Sequence, residues 1–405
     1  MPENPACPRT TDALALAYER AEIGVRWNIR RSALEFSTPR KAFDVPDEPM
    51  LRAIHNRIGH GVRWTGKNNN MGFDAWLGLT LALVDEHRVD PFIAYLEQLP
   101  NWDGVERLDT LLERCFTLAN PEEQLKLAAW TMNYLTLGAI QRAYHPGTKL
   151  DEIPVITGEG GIGKSTLAAH LLPAEHRRTW FTDQLDLLAD DQRKAEALDG
   201  RVIVEISEMR GSRRADKNAI KTFLQREDDG AIRRAYARTM PPAPRRCVFI
   251  GSADNTESLP DDANLRRFVV VELADGDASE LRRILWNEQP QLWAEAKDRY
   301  HRGKEARLPE ELKAQAHEAA SGHRYRANPS FDEAVAEWAD QQFDPMTIKE
   351  VRAALADADI QTTATRDNEI GDALKLAGWK KQRVQKNGKR ATLWQPRHDG
   401  TEMFT

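Results

Sequence analysis

At 405 residues the chain is long enough for two or three folded units, and 57 Lys+Arg against 63 Asp+Glu leave a net charge of -6, so it is no polycation that coats nucleic acid indiscriminately. Its 41% hydrophobic and 30% charged residues argue against disorder, and Cys7, Cys115 and Cys247, far apart with no CxxC pair, argue against a disulfide framework or zinc knuckle and for a reducing, cytoplasmic setting. No apolar run reaches the roughly 20 residues of a membrane span, and MPENPACPRTTD lacks the order of a secretory signal.

Residues 1–145 read as a mainly helical N-terminal unit. Apolar residues recur at helical spacing in Leu51-Ile54-Ile58, in Trp76 to Val84 and in Leu125 to Leu135. Val25 to Leu34, where Trp27 and Ile29 alternate with polar neighbours, is a candidate strand or hairpin. Tyr144-His145-Pro146-Gly147 marks the turn at which this unit ends. Across 146–322 the pattern changes to short apolar strands, at Pro154 to Thr157, Val202 to Ile206, Cys247 to Ser252 and Phe268 to Leu273, separated by helical stretches. That alternation predicts a parallel α/β sheet. Charged helices follow from Ser279 to about Ala320, and Gly322 to Ser330 reads as a linker. In 323–405 the capping box Thr347-Ile348-Lys349-Glu350 opens one helix, a second runs from about Asp367 to Ala377 and stops at Gly378, and Asn387-Gly388 joins two short strands. Helices followed by a hairpin predict a small winged-helix-like unit.

Chemistry concentrates in the middle unit. Gly158, Glu159, Gly160, Gly161, Ile162, Gly163, Lys164 and Ser165 match GxxxxGK[ST] between an apolar strand and a helix that begins with Thr166. Such a loop turns successive backbone N–H groups onto phosphate oxygens, Lys164 supplies a charge to the β- and γ-phosphates, and the Ser165 hydroxyl is a ligand for Mg²⁺. The expected cofactors are therefore ATP and Mg²⁺. Arg201 to Glu208 supply an apolar strand ending in two carboxylates, Glu205 for the metal and Glu208 for the attacking water, or the reverse. Asn255, after the third strand, is a candidate contact to the γ-phosphate or the water. Arg266 and Arg267, just before the fourth strand, suit stabilisation of charge on a transferring phosphoryl group; surface arginines in a salt bridge are the alternative.

Two basic stretches are candidates for nucleic acid. Arg233, Arg234, Tyr236, Arg238 and Arg245 surround Pro241-Pro242, with an aromatic available for stacking between cations. Lys381, Arg383, Lys386, Lys389 and Arg390 lie in a segment with no acidic residue between Asp372 and Asp399, on the expected wing. A solvated surface is the competing account of both.

The motifs also resemble the virulence-associated protein E family, whose members are phage and mobile-element proteins related to superfamily 3 replicative helicases. The resemblance rests on Leu99-Pro100-Asn101-Trp102-Asp103-Gly104 with Arg107-Leu108, on Tyr144 to Asp151, on Val204 to Glu208, on Lys221 to Leu224, on Arg233 to Tyr236, on Asn264 to Phe268, and on Gln291-Leu292-Trp293-Ala294-Glu295-Ala296. It implies an AAA+-like sheet, a sensor role for Asn255, an arginine finger at Arg266 or Arg267, and a homo-oligomeric ring, expected as a hexamer, with the Arg233 to Arg246 hairpin facing the pore. Two segments depart from the family pattern: Gly-Ser-Ala-Asp-Asn stands where Gly-Thr-Thr-Asn is expected, and Ala263-Asn264-Leu265 replaces a glycine-bearing approach to the arginines. The expected activity is ATP-dependent movement on single-stranded or forked DNA as a helicase or helicase loader in the host cytoplasm, with a separate primase or initiator as a further partner. The alternatives are a nucleotide-controlled DNA-binding initiator or regulator that does not unwind, and an NTPase of host-conflict signalling that ignores DNA.

Overall fold

A computed structural model describes residues 8–61, 64, 71–85, 87–207, 222–229, 244–254, 267–325, 329–342, 344–358, 360, 367–386 and 389–395. The N-terminal residues are mainly helical, as the spacing suggests, and their helices cover a small sheet. Strands β1 (Gly24–Asn28), β2 (Ala33–Thr38), β3 (Lys41–Asp44) and β4 (Arg88–Val89) lie in the order β3-β2-β1-β4, with Trp27 opposite Leu34. The expected hairpin is present. The rest escaped notice because Glu35, an acid between Leu34 and Phe36, is buried: Arg26 Nε and Asn28 Nδ2 each donate to it at 2.9 Å. A buried acid is tolerated only with such partners, and no sequence pattern announces them. Helices Thr11–Arg20, Glu48–Gly61 and Phe73–Asp85 cover this sheet through Leu14, Ile58 and Trp76, packed around Phe36.

The four apolar runs of the middle unit are strands at the expected places: β6 (Ile153–Thr157), β8 (Ile203–Ser207), β9 (Val248–Ala253) and β10 (Phe268–Gly276). Two short strands join them, β5 (Phe116–Leu118) and β7 (Phe181–Thr182), in the order β5-β10-β6-β9-β8-β7. All neighbours run parallel except β5, which pairs antiparallel with β10. The strands read as unbroken apolar runs because both faces are covered. Val248, Ile250, Val269 and Val271 face one core with Leu127, Ile140 and Trp293 from the helices Pro121–Tyr144 and Ala278–His301, while Phe249, Phe268 and Val270 face a second with Leu198 and Phe223. Fully burying each such side chain stabilises by about 1.5–3 kcal/mol.

Packing changes partner before the turn at 145. The core that includes β10 begins at Phe92, so residues 92–144, read above with the N-terminal unit, pack on the sheet. Asp90 stands at the change. Its side chain accepts from Phe92 N at 2.9 Å, capping the helix Pro91–Glu97, and it is paired with Arg30 after β1 and with Arg246 before β9. Arg30 also donates to the carbonyls of Arg201 and Arg246, tying the small sheet to the entries of β8 and β9.

Beyond the sheet, the expected linker is partly helical. The helix Glu310–Tyr325 runs through Gly322 and the next one begins at Pro329. A glycine in a helix costs only about 1 kcal/mol, which its neighbours offset. The capping box is present, with Thr347 and Glu350 bonded to each other's backbone N–H. Helices Ile348–Asp357 and Asp367–Leu376 follow, with Gly378 at φ +84°, and β11 (Lys380–Lys386) pairs with β12 (Lys389–Gln395), Lys386 opposite Lys389. Val335, Trp338, Val351, Ile370, Trp379 and Trp394 form a core of their own. Gly371 is required there, since a Cβ on it would come 2.8 Å from the Trp394 ring.

Candidate functional site

Parallel strands end on a common edge, and the groups singled out for phosphate chemistry collect there. After Thr157 the chain enters the loop Gly158 to Gly163 and continues directly into the helix Lys164–His170. Gly158, Gly161 and Gly163 have φ of +149°, +88° and +114°, a backbone path that side chains with a Cβ rarely follow. At Gly158 a Cβ would also lie 2.6 Å from the Leu273 carbonyl oxygen on β10, so the turn is tight by packing as well as by conformation. Ile162 is buried beneath the loop, while Glu159, Gly160 and Gly161 are exposed on its rim and Thr166 is half-buried.

Lys164 is buried, and its Nζ donates to the carbonyls of Gly158 at 2.6 Å and Glu159 at 2.8 Å and to Asp254 Oδ1 at 3.2 Å. The Ser165 hydroxyl donates to Glu205 Oε1 at 2.7 Å, and Ser252 Oγ donates to the same oxygen at 2.5 Å. Register explains the meeting. Strand β9 lies between β6 and β8, with Ile156 opposite Ser252 and Glu205 opposite Ile250, so the exit of β9 separates the loop from the acid. Glu205 is 1% exposed, and its other oxygen, Oε2, is buried without a hydrogen-bond partner among the described residues. A buried carboxylate oxygen left unpaired is costly, which marks it as a place for a cation.

Of the two acids expected near the loop, Glu205 lies within hydrogen-bond reach of Ser165. Ser252 and Asp254 were not singled out. Both flank the strand exit at which Asn255 was chosen, and that polar exit was the available signal. Arg267, half-buried, lies on the other edge of the sheet: Phe268 is opposite Ile153 and Glu272 opposite Thr157, so about five residues of strand, about 17 Å, separate it from the loop of its own chain. Glu208, Asn255, Arg266, Arg233, Arg234, Tyr236 and Arg238 lie outside the described residues.

One assignment is corrected. Arg245, read as a nucleic-acid contact, is fully buried: Nε and Nη2 donate to Asp229 at 2.7 and 2.5 Å, Nη1 donates to the Leu224 carbonyl, and the guanidinium lies 4.9 Å from both the Phe223 and Phe249 rings. It holds residues 222–229 against β9. Lys381 is exposed on β11, 5.7 Å from the Trp394 ring. Arg383, Lys386, Lys389 and Arg390 belong by backbone register to the β11–β12 hairpin.

The model of the virulence-associated protein E-like domain matches residues 96–325, more than half the chain. The chain belongs to that family. No curated protein matches it. Solved structures of similar shape include the apo C-terminal region of NrS-1 in its A form, 13% identical over 96% of this chain and 99% of that one with a TM-score of 0.46, and the JCV helicase, 12% identical over 79% and 93% with a TM-score of 0.27. Scores of this size carry no inference from those proteins to this one.

Some of the motifs that carry the resemblance lie away from the loop Gly158 to Gly163. In this virulence-associated protein E-like domain, Gln291 Oε1 accepts from Asp103 N at 3.0 Å and its amide donates to the Asn101 carbonyl. Glu295 Oε2 accepts from the backbone N–H groups of Arg107 and Leu108. Arg299 then joins Glu295 at 2.5 Å, Asp109 at 2.6 Å and Asn133 at 2.8 Å. The two segments that carried much of the resemblance thus clasp each other and brace the helix Ala278–His301. Burial pushes Glu295 above the usual carboxylate range against the charge of Arg299, whereas at Asp109 the bonds from Arg299 and Asn133 outweigh burial and hold it below that range.

Among the described residues no helix is long and apolar enough to cross a membrane, and no group of three or more His, Cys, Asp or Glu could by itself hold a metal. Mg²⁺ at nucleotide sites is typically held by one or two protein oxygens, with phosphates and water completing its shell. Ser165 and Glu205 fit that donor set.

Proposed function

We propose that this chain is a P-loop ATPase with an AAA+-like core, which binds Mg²⁺-ATP at Gly158 to Thr166 and uses hydrolysis to move on DNA as a replicative helicase or helicase loader. The observation that carries the reading is Ser165 donating to Glu205 Oε1 while Glu205 Oε2 is buried with no partner among the described residues, beside Lys164 in a GxxxxGKS loop. In this reading the loop amides bind the phosphates, Lys164 exchanges its carbonyl partners for phosphate oxygens, and Ser165 and Glu205 hold the metal. Bound Mg²⁺ supplies charge neutralisation of the β- and γ-phosphates. Glu208 takes the proton of the attacking water, and Asn255 orients that water.

Arg267 cannot reach its own chain's loop from the far edge of the sheet. As a finger, together with or in place of Arg266, it would act on the nucleotide of a neighbouring copy, which supports a ring, hexameric by family resemblance. The N-terminal unit then serves as a collar or loading unit, and the helices and β11–β12 hairpin of the C-terminal unit serve as a winged helix that meets DNA through Lys381, Arg383, Lys386, Lys389 and Arg390.

The test is the ATPase rate with and without single-stranded DNA for the unmodified chain and for Lys164→Ala. Stimulation by DNA in the first and at least a hundredfold lower turnover in the second are expected; equal rates in the two proteins would refute the site. A strand-displacement assay separates a helicase from an initiator that binds and hydrolyses without releasing a strand.

A further inference from the structure

We propose that Asp254 is the counter-ion that closes the phosphate loop in the nucleotide-free state and makes nucleotide capture depend on magnesium; the inference rests on the nucleotide-loop reading of Gly158 to Ser165. An ammonium group has three protons to donate, and Lys164 places all three, on the carbonyls of Gly158 and Glu159 and on Asp254 Oδ1. The cation meant for phosphate is therefore bound to the loop's own carbonyls and to a carboxylate. That carboxylate also lies beside the rim of the loop. A Cβ placed on Gly160, whose backbone forms the rim, would lie 3.8 and 3.9 Å from the two Asp254 oxygens.

The position of Asp254 follows from the sheet. It is the first residue past β9, and β9 is pinned between β6 and β8 by backbone register, so the acid stands at the exit of the strand that separates the loop from the strand bearing Glu205. Ser165 and Ser252 donate to Glu205 Oε1, and among the described residues Asp254 is the acid paired with Lys164.

An arriving polyphosphate must displace this carboxylate from the ammonium and then remain beside it. Free nucleotide brings its full negative charge against Asp254. Nucleotide carrying Mg²⁺ brings two fewer negative charges and meets less repulsion. Asp254 thus acts as a positioning residue that holds Lys164 back from bare nucleotide and yields it to the magnesium-bound form. Its side chain is 69% exposed, so solvent screens the repulsion and the discrimination is moderate.

The test is calorimetric titration of the full chain with ADP, in Mg²⁺ and in EDTA, for the unmodified protein, Asp254→Asn, Asp254→Ala and Lys164→Ala. An exposed carboxylate can be replaced without unfolding the chain, and two replacements guard against a local effect of either. Both Asp254 variants are expected to bind magnesium-free ADP about three- to tenfold more tightly than the unmodified chain and Mg²⁺-ADP by a clearly smaller factor, so that the preference for the magnesium form shrinks. If both variants keep the unmodified preference, or bind either form more weakly, while Lys164→Ala abolishes binding, the role given to Asp254 is wrong and the nucleotide loop stands. If the unmodified chain and both Asp254 variants take up no ADP in either condition, or Lys164→Ala binds as the unmodified chain does, the nucleotide loop itself is wrong and the inference falls with it.

Discussion

Glu205 and Glu295 are both buried carboxylates, about 1% and 0% exposed, and they are satisfied in opposite ways. Glu295 is saturated. Arg299 donates to one oxygen and two backbone N–H groups donate to the other, inside a clasp that joins the Ala278–His301 helix to residues 101–109. Glu205 takes two hydroxyls on a single oxygen and, among the described residues, has no cation against either oxygen and no partner on Oε2. Burying an acid without its partners is expensive, so a chain that does so keeps the place for something else. The contrast separates an acid that holds the fold from one to which the proposed function gives a metal, although both fall within motifs that carried the same family resemblance.

The largest expected effect breaks or upholds that contrast directly. Glu205→Gln should lower ATP hydrolysis by about a hundredfold or more, since the metal loses its charged ligand, while the unfolding free energy of the metal-free chain changes by no more than about 1 kcal/mol. Loss of stability with hydrolysis intact, read from a denaturant melt and an ATPase assay, would invert the assignment. Glu295→Ala should do the reverse. Removing one member of a buried pair leaves Arg299 and two N–H groups short of partners, at a cost of about 3 kcal/mol, the lower end of the range because Asp109 and Asn133 still hold the guanidinium. Nucleotide affinity of the folded fraction should be unchanged.

A smaller effect is expected at Gly158→Ala. The added Cβ meets the Leu273 carbonyl at 2.6 Å and the backbone is held at φ +149°, so about 1–3 kcal/mol of stability should be lost, seen as a lower melting temperature. Gly160→Ala has room, with nothing nearer than 3.8 Å, and should melt as the unmodified chain does.

The smallest effect tests burial alone, away from both acids. Burial pushes the thiols of Cys115 and Cys247 up from 9.0 to about 11. A thiol-specific reagent at pH 8 should leave both unreacted in the native chain and label both on denaturation. Their folded values exceed the unfolded ones, so the stability tied to the neutral thiols is complete below pH 9 and is lost as pH rises toward 11. Full labelling of the native chain at pH 8 would contradict the packing around β5 and β9.

What could be read beforehand follows from how much each feature depends on distant chain. Strands β6, β8, β9 and β10 carry dense apolar runs because both their faces are covered, and the loop glycines carry their own conformational demand. Strands β5 and β7, three and two residues long, have no pattern to detect and exist because β10 and β8 offer edges. The placing of Glu205 against Ser165 was legible from motif order. Its pairing with Ser252, and that of Lys164 with Asp254, needed the position of β9 between the two strands. Arg245 misled for the same reason: among neighbouring cations it resembles a basic surface, yet Asp229, sixteen residues earlier, and two phenylalanines draw it inside. Glu35 and Asp90 were silent because arginines supplied by other segments make their burial possible.

In the proposed function Ser165 and Glu205 hold a metal shared with nucleotide. Electron paramagnetic resonance of Mn²⁺ titrated into the full chain, with and without ADP, tests it most directly. One tight Mn²⁺ site should appear with ADP and be lost in Ser165→Ala and in Glu205→Gln; an ADP-dependent site that survives both substitutions unchanged, or no such site in the unmodified chain, would rule out a metal on these two side chains.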